Sequence, residues 1–229
     1  MDFSLTPARV TSDELLDEHD AAEGEMQRSL RDLRRFNSLA GGRRAYLAML
    51  SRLVPHDDAR VAILDLGTGT SDLLDAVRRR WPHATTIGLD SNVRHLAYGR
   101  ALGGTKTARL AADAFHLPFL DRSVDIVASS HFFHHFAPDE NLAIVRESLR
   151  VARRGIAFTD TQRHYAPLLF VRLLGALRLT GSITRYDAPA SVRQGYTMSE
   201  MRTFARALGL ESAEVFHLAP FRFGLVVRA

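Results

Sequence analysis

Three acidic side chains and a cluster of histidines are the residues of this sequence best suited to do chemistry. Asp65 ends a short apolar run and leads into Leu66-Gly67-Thr68-Gly69, two glycines spaced by one residue. A glycine turn lets a ligand approach the backbone where a side chain would block it. A helix start at Ser71-Asp72 would add unpaired N–H groups. Dinucleotide folds bind a pyrophosphate at such a turn. Here the third glycine of that pattern is missing, and Asp65 and Asp72 would repel a pyrophosphate. They suit a ligand carrying an ammonium and a sulfonium. Asp90 closes the next apolar run, about 20 residues on, the spacing of a carboxylate that accepts from ribose hydroxyls. Asp113, in Ala112-Asp113-Ala114, could accept from an adenine amino group. His131, His134, His135 and His164, with Asp160, are the groups that could take a proton from a phenol, an alcohol or an acidic carbon.

These residues need elements to hold them. Residues 61–66, 85–90, 107–111, 123–130 and 155–159 are apolar runs too short for helices, as buried parallel strands read. Helical stretches are expected between them, near 71–80, 92–102 and 139–152. That alternation gives βαβ units with ligands at the strand C-terminal ends, where Asp65, Asp90, Asp113 and His131 all fall.

With those pieces in place the chain resembles a class I S-adenosylmethionine-dependent methyltransferase. The matching stretches are Leu64-Asp65-Leu66-Gly67-Thr68-Gly69, Gly88-Leu89-Asp90, Ala112-Asp113-Ala114, Ser123-Val124-Asp125-Ile126-Val127 and Phe133-His134-His135-Phe136, in family order over about residues 60–160. The competing reading, a nicotinamide-binding domain, is disfavoured by the missing glycine. The resemblance implies an α/β, Rossmann-like doubly wound fold. Its seven-stranded sheet is mostly parallel and ends in an antiparallel hairpin, with an N-terminal helical cap (1–55) ahead of the methyltransferase domain (56–229). It implies S-adenosyl-L-methionine as cofactor, held by Asp65, Gly67, Thr68, Gly69, Asp90, Ser91, Asp113, Ala114 and Ser130. Arg43 (or Arg44) would reach the methionyl carboxylate, with a solvated arginine face as the equal alternative. The catalytic base is expected among His131, His135 and Asp160. Phe133-His134-His135-Phe136 is similar to a stretch of family members acting on many different substrates, which implies that His134 and His135 mostly pack and position their loop.

Composition narrows the rest. At 229 residues, 46% hydrophobic and 24% charged, the chain can build one domain with a sizeable core. A formal charge of +4 does not argue for nucleic acid. The absence of cysteine removes disulfides, thiolate metal sites and a cysteine nucleophile. No metal is expected: His131-x-x-His134-His135 has only Asp139 as a carboxylate at ligand spacing. The acidic start, Met1-Asp2-Phe3-Ser4, has no apolar signal core, so a cytoplasmic location follows by default.

Residues 1–11 read as a loose tail. Ser12 could cap a helix crowded with acids (Asp13, Glu14, Asp17, Glu18, Asp20), and further helices are expected from Glu25 to Asn37 and from Arg43 to Leu53. Residues 160–196 form an insertion. Within it, 165–180 is apolar on nearly every side, and the readings, in order of preference, are a wall over an apolar substrate pocket, a buried helix and an interfacial membrane helix. It is too short for a membrane span. A loop is expected from Asp187 to Tyr196, a helix from Thr197 or Met198 to Gly209, and last strands at 211–217 and 221–228. The leading expectation is methylation of an oxygen (less readily a carbon) of an apolar small molecule, phenolic, polyketide or quinone-like, by a chain that could form a homodimer. The alternatives are methylation of RNA or protein, and a non-catalytic S-adenosylmethionine-binding module.

Overall fold

The computed structural model describes residues 6–18, 21–103 and 106–229. The acidic N-terminal residues 1–5 and Asp20, on which part of the expectations rested, lie outside the described residues. In chain order the elements are α1 Glu23–Leu39, α2 Gly42–Leu50, β1 Ala62–Leu66, α3 Asp72–Arg80, β2 Thr85–Asp90, α4 Val93–Ala101, β3 Ala108–Ala111, β4 Val124–Ser130, a 3₁₀ turn Phe133–His135, α5 Pro138–Val151, β5 Ala152–Thr161, α6 Tyr165–Ala176, α7 Ser182–Gln194, α8 Met198–Ala207, β6 Ala213–Leu218 and β7 Arg222–Arg228.

The strands form one seven-stranded sheet among the described residues, in the order β3-β2-β1-β4-β5-β7-β6. Strands β1 to β5 run parallel, and β7 is antiparallel to both β5 and β6. The order reverses between β1 and β4, so the crevice outside their C-terminal ends is the topological switch point, where open α/β sheets bind ligands. The register sets Asp65 beside Gly88 of β2 and Ala128 of β4. Gly88 has to be glycine: a Cβ there would lie 2.7 Å from the Thr68 methyl and 3.0 Å from Ser71 Oγ.

Each sheet face has its own apolar core. On one, Leu64, Leu66, Val127, Ile156 and Phe158 meet Ile144 and Val145 of α5 and Met201 and Phe204 of α8. On the other, Ile63, Ile126, Ala157 and Val226 meet Tyr46, Met49 and Leu50 of α2 and Leu74 and Val77 of α3. Helix α2 is therefore seated in a sheet-face core, where each fully buried apolar side chain contributes roughly 2 kcal/mol. Helices α1, α6 and α7 lie across the strand C-terminal ends instead, and line the cavity there.

Three expectations differ from what is observed. Residues 14–17 make a turn rather than a helix: the Asp187 carboxylate takes the Leu15 and Leu16 N–H groups at 2.9 and 3.0 Å. The stretch from Asp187 to Tyr196 is mostly helical, within α7, in spite of Pro189. Pro189 lies eight residues in and removes one helix donor, yet α7 holds through its packing on α6 and α1. Residues 6–11 are tied down, with Pro7 O accepting from Arg163 Nη1 at 2.7 Å and the Arg9 guanidinium 4.1 Å above the Tyr196 ring.

Gly155 gives a direct test of the sheet. It sits in β5 at φ +140°, and a Cβ there would lie 2.1 Å from Val227 O. Gly155→Ala is expected to destabilise the protein by about 3 kcal/mol in urea unfolding, through backbone strain plus overpacking. An unchanged midpoint would contradict the β5–β7 pairing.

Candidate functional site

A cavity of about 780 Å³ opens over the switch point. Gly67 and Gly69 at the end of β1, Asp90 and Ser91 after β2, and Asp113 and Ala114 after β3 form one side of it. Both glycines have positive φ, +63° and +51°. Asp90 locks the turn in place: its Oδ2 accepts from Gly69 N at 2.8 Å and its Oδ1 from Asn92 N at 2.9 Å. Its Oδ2 keeps a further lone pair for a ligand, while Oδ1 also faces His95 Nδ1 at 3.5 Å. A Cβ added at Gly69 would meet only Leu30 within 4 Å, so the space beside this backbone is open. Asp113 Oδ1 accepts from Phe115 N at 2.9 Å. Phe115, Phe132 and Phe136 pack edge to face with ring centroids 4.9 and 5.4 Å apart and add aromatic wall.

Four residues expected to hold a ligand stand behind this wall. Asp65 is buried beneath the turn, accepting from the Tyr46 hydroxyl at 2.7 Å. Burial pushes its carboxyl up to about 7, against the hydrogen bonds from Tyr46 and Thr68. Thr68 and Ser130 are also buried outside the lining, and Arg43 is close enough to Asp72 to lower its raised carboxyl pKa. Ser71 is at the N-cap of α3 but its side chain caps nothing; it lies 3.3 Å from Thr68 Oγ1.

The other side of the cavity gathers the histidines. His134 is buried with Nδ1 2.9 Å from Asp160 Oδ2 and Nε2 3.4 Å from Glu14 Oε1. Burial alone would discharge this ring, but the two carboxylates outweigh it and raise His134 to about 10. Asp160 responds in the opposite sense. Burial would raise it, yet the His134 imidazolium and the Thr161 N–H hold it well below the usual carboxylate range. His131 shares Asp160 at 3.7 Å, while Arg222 Nη2 lies 2.8 Å from its Nε2. Burial and that guanidinium push His131 down to about 3. Its backbone is left-handed, φ +54°. His135 Nδ1 faces Asp17 Oδ2 at 3.2 Å, and its ring stacks on His134 at 4.2 Å. His164 is not part of the cavity wall; its Nδ1 accepts from Ala166 N at 3.0 Å and caps α6.

The carboxylates beside the histidines are thus Glu14, Asp17 and Asp160, not Asp139. Glu14 is held in turn by Ser191 Oγ at 2.6 Å and Gln194 Nε2 at 3.0 Å of α7. Glu14, His134 and His135 bring potential ligand atoms within 4.8 Å of one another. Glu14, Asp17 and Arg222 escaped the sequence reading because their partners lie about a hundred residues away along the chain. The signal that could have marked Glu14 and Asp17 was an acid spacing that matched no apolar helix face.

Residues 63–155 match a family described as a methyltransferase domain. Demethylmenaquinone methyltransferase of Thermotoga maritima is 36% identical over 94 residues, 40% of this chain and 39% of that protein. Malonyl-[acyl-carrier protein] O-methyltransferase of a Marinomonas species is 36% identical over 97 residues, 42% of this chain and 36% of its own. These matches therefore span less than half the length of those relatives. Human N-acetylserotonin methyltransferase in complex with SAM shares the fold, with TM-score 0.69 and 16% identity over 96% of this chain and 60% of that one.

The ionisation of His134 predicts a pH signature. Its folded pKa is raised, so its contribution to stability is complete below about 6.5 and is lost as pH rises through about 10. The stability difference between the native chain and His134→Gln is expected to shrink by on the order of 5 kcal/mol between those limits. Urea unfolding across that range checks it, and a pH-independent difference would contradict the charged state.

Proposed function

We propose that this chain, whose core is a class I S-adenosylmethionine-dependent methyltransferase domain, transfers the cofactor's methyl group to an oxygen (less readily a carbon) of an apolar small molecule, phenolic, polyketide or quinone-like. One observation carries the reading: a single cavity joins a polar wall of strand-end carboxylates and open glycine backbone to an apolar wall from α1, α6 and α7. Leu33, Phe36, Phe170, Val171 and Val192 supply the apolar wall. Demethylmenaquinone, the substrate named for one relative, is an acceptor of this kind, whereas malonyl-[acyl-carrier protein], named for another, is not.

The residues present fit S-adenosylmethionine. Asp90, with a lone pair to spare on Oδ2, would accept from the ribose hydroxyls, and Asp113 and Ala114 would border the adenine. Gly67 and Gly69 leave room beside the methionyl part. Asp65 and Thr68 would act from behind by fixing the turn, and the buried Ser130 hydroxyl, which has no hydrogen-bond partner among the described residues, lies outside the lining. Bound there, the cofactor supplies an electrophilic methyl on sulfur, and alignment of the acceptor with it supplies much of the rate.

Proton removal falls to His135. Asp160 is a poor base, since the imidazolium of His134 and two N–H groups, those of His134 and Thr161, stabilise it as the anion. His131 has its Nε2 taken by Arg222. His134 is already charged. In His135 the Asp17 carboxylate would accept from Nδ1–H, which would leave Nε2 to take the acceptor's hydroxyl proton.

Labelled methyl transfer against a panel of phenols and quinols tests this. His135→Gln is expected to lower kcat by about 10²–10³ with cofactor affinity within about twofold, and Asp17→Asn by about tenfold. Asp90→Ala is expected to abolish cofactor binding in calorimetry. Full activity in His135→Gln would remove the assigned base, and no transfer to any acceptor would remove the reaction.

A further inference from the structure

Helix α6 presents apolar residues in two directions. Ala166, Pro167, Phe170 and Val171 line the cavity, and only Leu168 is buried. On the outer side Leu169 is 62% and Leu173 57% exposed, and Leu177 and Leu179 continue the apolar surface beyond the helix at 59% each. Leu39, at the end of α1, is 85% exposed. Exposed leucines scattered singly mean little. These are continuous with the site, because Phe36, Leu39, Ala40 and Phe170 line both the cavity and an adjoining groove of about 240 Å³ that reaches Leu174 and Leu179.

The charge around this surface has one dominant sign. Arg172 and Arg178 are exposed on and just after α6, and Arg28, Arg35 and Arg185 are exposed on the neighbouring helices. The acids at this face are engaged. Asp32 accepts from Gly181 N at 2.7 Å and pairs with Arg35 at 3.4 Å, and Glu25 accepts from Ser182 Oγ at 2.6 Å. Among the described residues no helix is long and apolar enough to cross a membrane. A twelve-residue helix with leucines outward and arginines beside them can lie in the plane of one.

We propose that the outer face of α6, with Leu39, docks on the surface of an anionic phospholipid bilayer. The leucines enter the headgroup–acyl boundary and the arginines meet lipid phosphates, so the cavity mouth opens against the membrane. The docking stands apart from the proposed reaction; the passage of an apolar acceptor from lipid into the cavity rests on that reading.

Co-sedimentation of the full chain with vesicles tests the docking. Vesicles of phosphatidylcholine with about one-third phosphatidylglycerol are expected to carry the protein down, and pure phosphatidylcholine far less, with release at high salt. Leu169→Ser with Leu173→Ser is expected to lower partitioning by about tenfold or more. Both side chains are exposed and outside the cavity, so the thermal midpoint, cofactor affinity and transfer to a water-soluble phenol are expected to stay unchanged. Arg172→Gln with Arg178→Gln is expected to weaken binding to the anionic vesicles alone. The proposal is overturned if neither vesicle binds the chain, or if the leucine variant binds as well as the native protein. It is equally overturned if sedimentation velocity shows that the leucines instead hold two copies of the chain together. Vesicle binding without methyl transfer to any acceptor would count against the reaction and leave the docking in place.

Discussion

The ring of His134 meets Asp160 through one nitrogen and Glu14 through the other, and neither carboxylate could be buried there without a shared positive charge. The three residues come from distant parts of the chain: the turn before α1, the loop after β4 and the end of β5. Their pairing therefore does more than neutralise charge. It pins residues 14–17 against the strand ends, sets Asp17 opposite His135, and leaves Asp160 bound to His134 and beside His131. Asp187 completes the anchorage by accepting from the backbone of the same turn, its carboxyl pushed up to about 6 by burial. The site is consequently divided by charge. Asp160, His134 and Arg222 are committed to holding one another and His131, and the His135–Asp17 pair is the more exposed one, to which the proposed mechanism gives the proton.

Much of this architecture could be read from residue order. Buried parallel strands need unbroken apolar runs, so β1, β2, β3 and β4 announced themselves, and their terminal acids marked the ligand side of the sheet. Asp90 could be placed at the strand end because its position depends on local spacing from the glycine turn, from whose Gly69 N–H it accepts. The helix α8 was legible from its N-terminus, where Thr197 and Glu200 form a capping box. What could not be read depended on long-range partners. The acids of residues 13–18 looked like a helix N-terminus, whereas Glu14 and Asp17 serve histidines more than a hundred residues away. Pro189 and the polar sequence around it looked like a loop, whereas packing on α6 and α1 keeps α7 helical. Asp65 reads as a ligand-facing acid from its position before the glycines, yet its side chain is turned under the strand toward Tyr46.

Helix α6 explains why its sequence supports several readings at once. It walls the apolar half of the cavity on its inner side and is exposed on its outer side, so its hydrophobic residues satisfy no single amphipathic pattern. A helix buried all round would need partners on every face, and here only Leu168 is buried. The arginines that interrupt it fall where the outer surface meets solvent. The proposed apolar acceptor and the proposed membrane docking would give the apolar wall and the apolar outer face one physical cause.

The charge on His134 can be observed directly. In nitrogen-labelled histidine NMR of the native protein, both ring nitrogens of His134 are expected to carry protons at about pH 8, well above where a free imidazole has lost one. Glu14→Gln is expected to lower that titration, since it removes one of the two carboxylates. A neutral His134 with one bare nitrogen at that pH would contradict the ion triad, and with it the placement of Asp17 against His135.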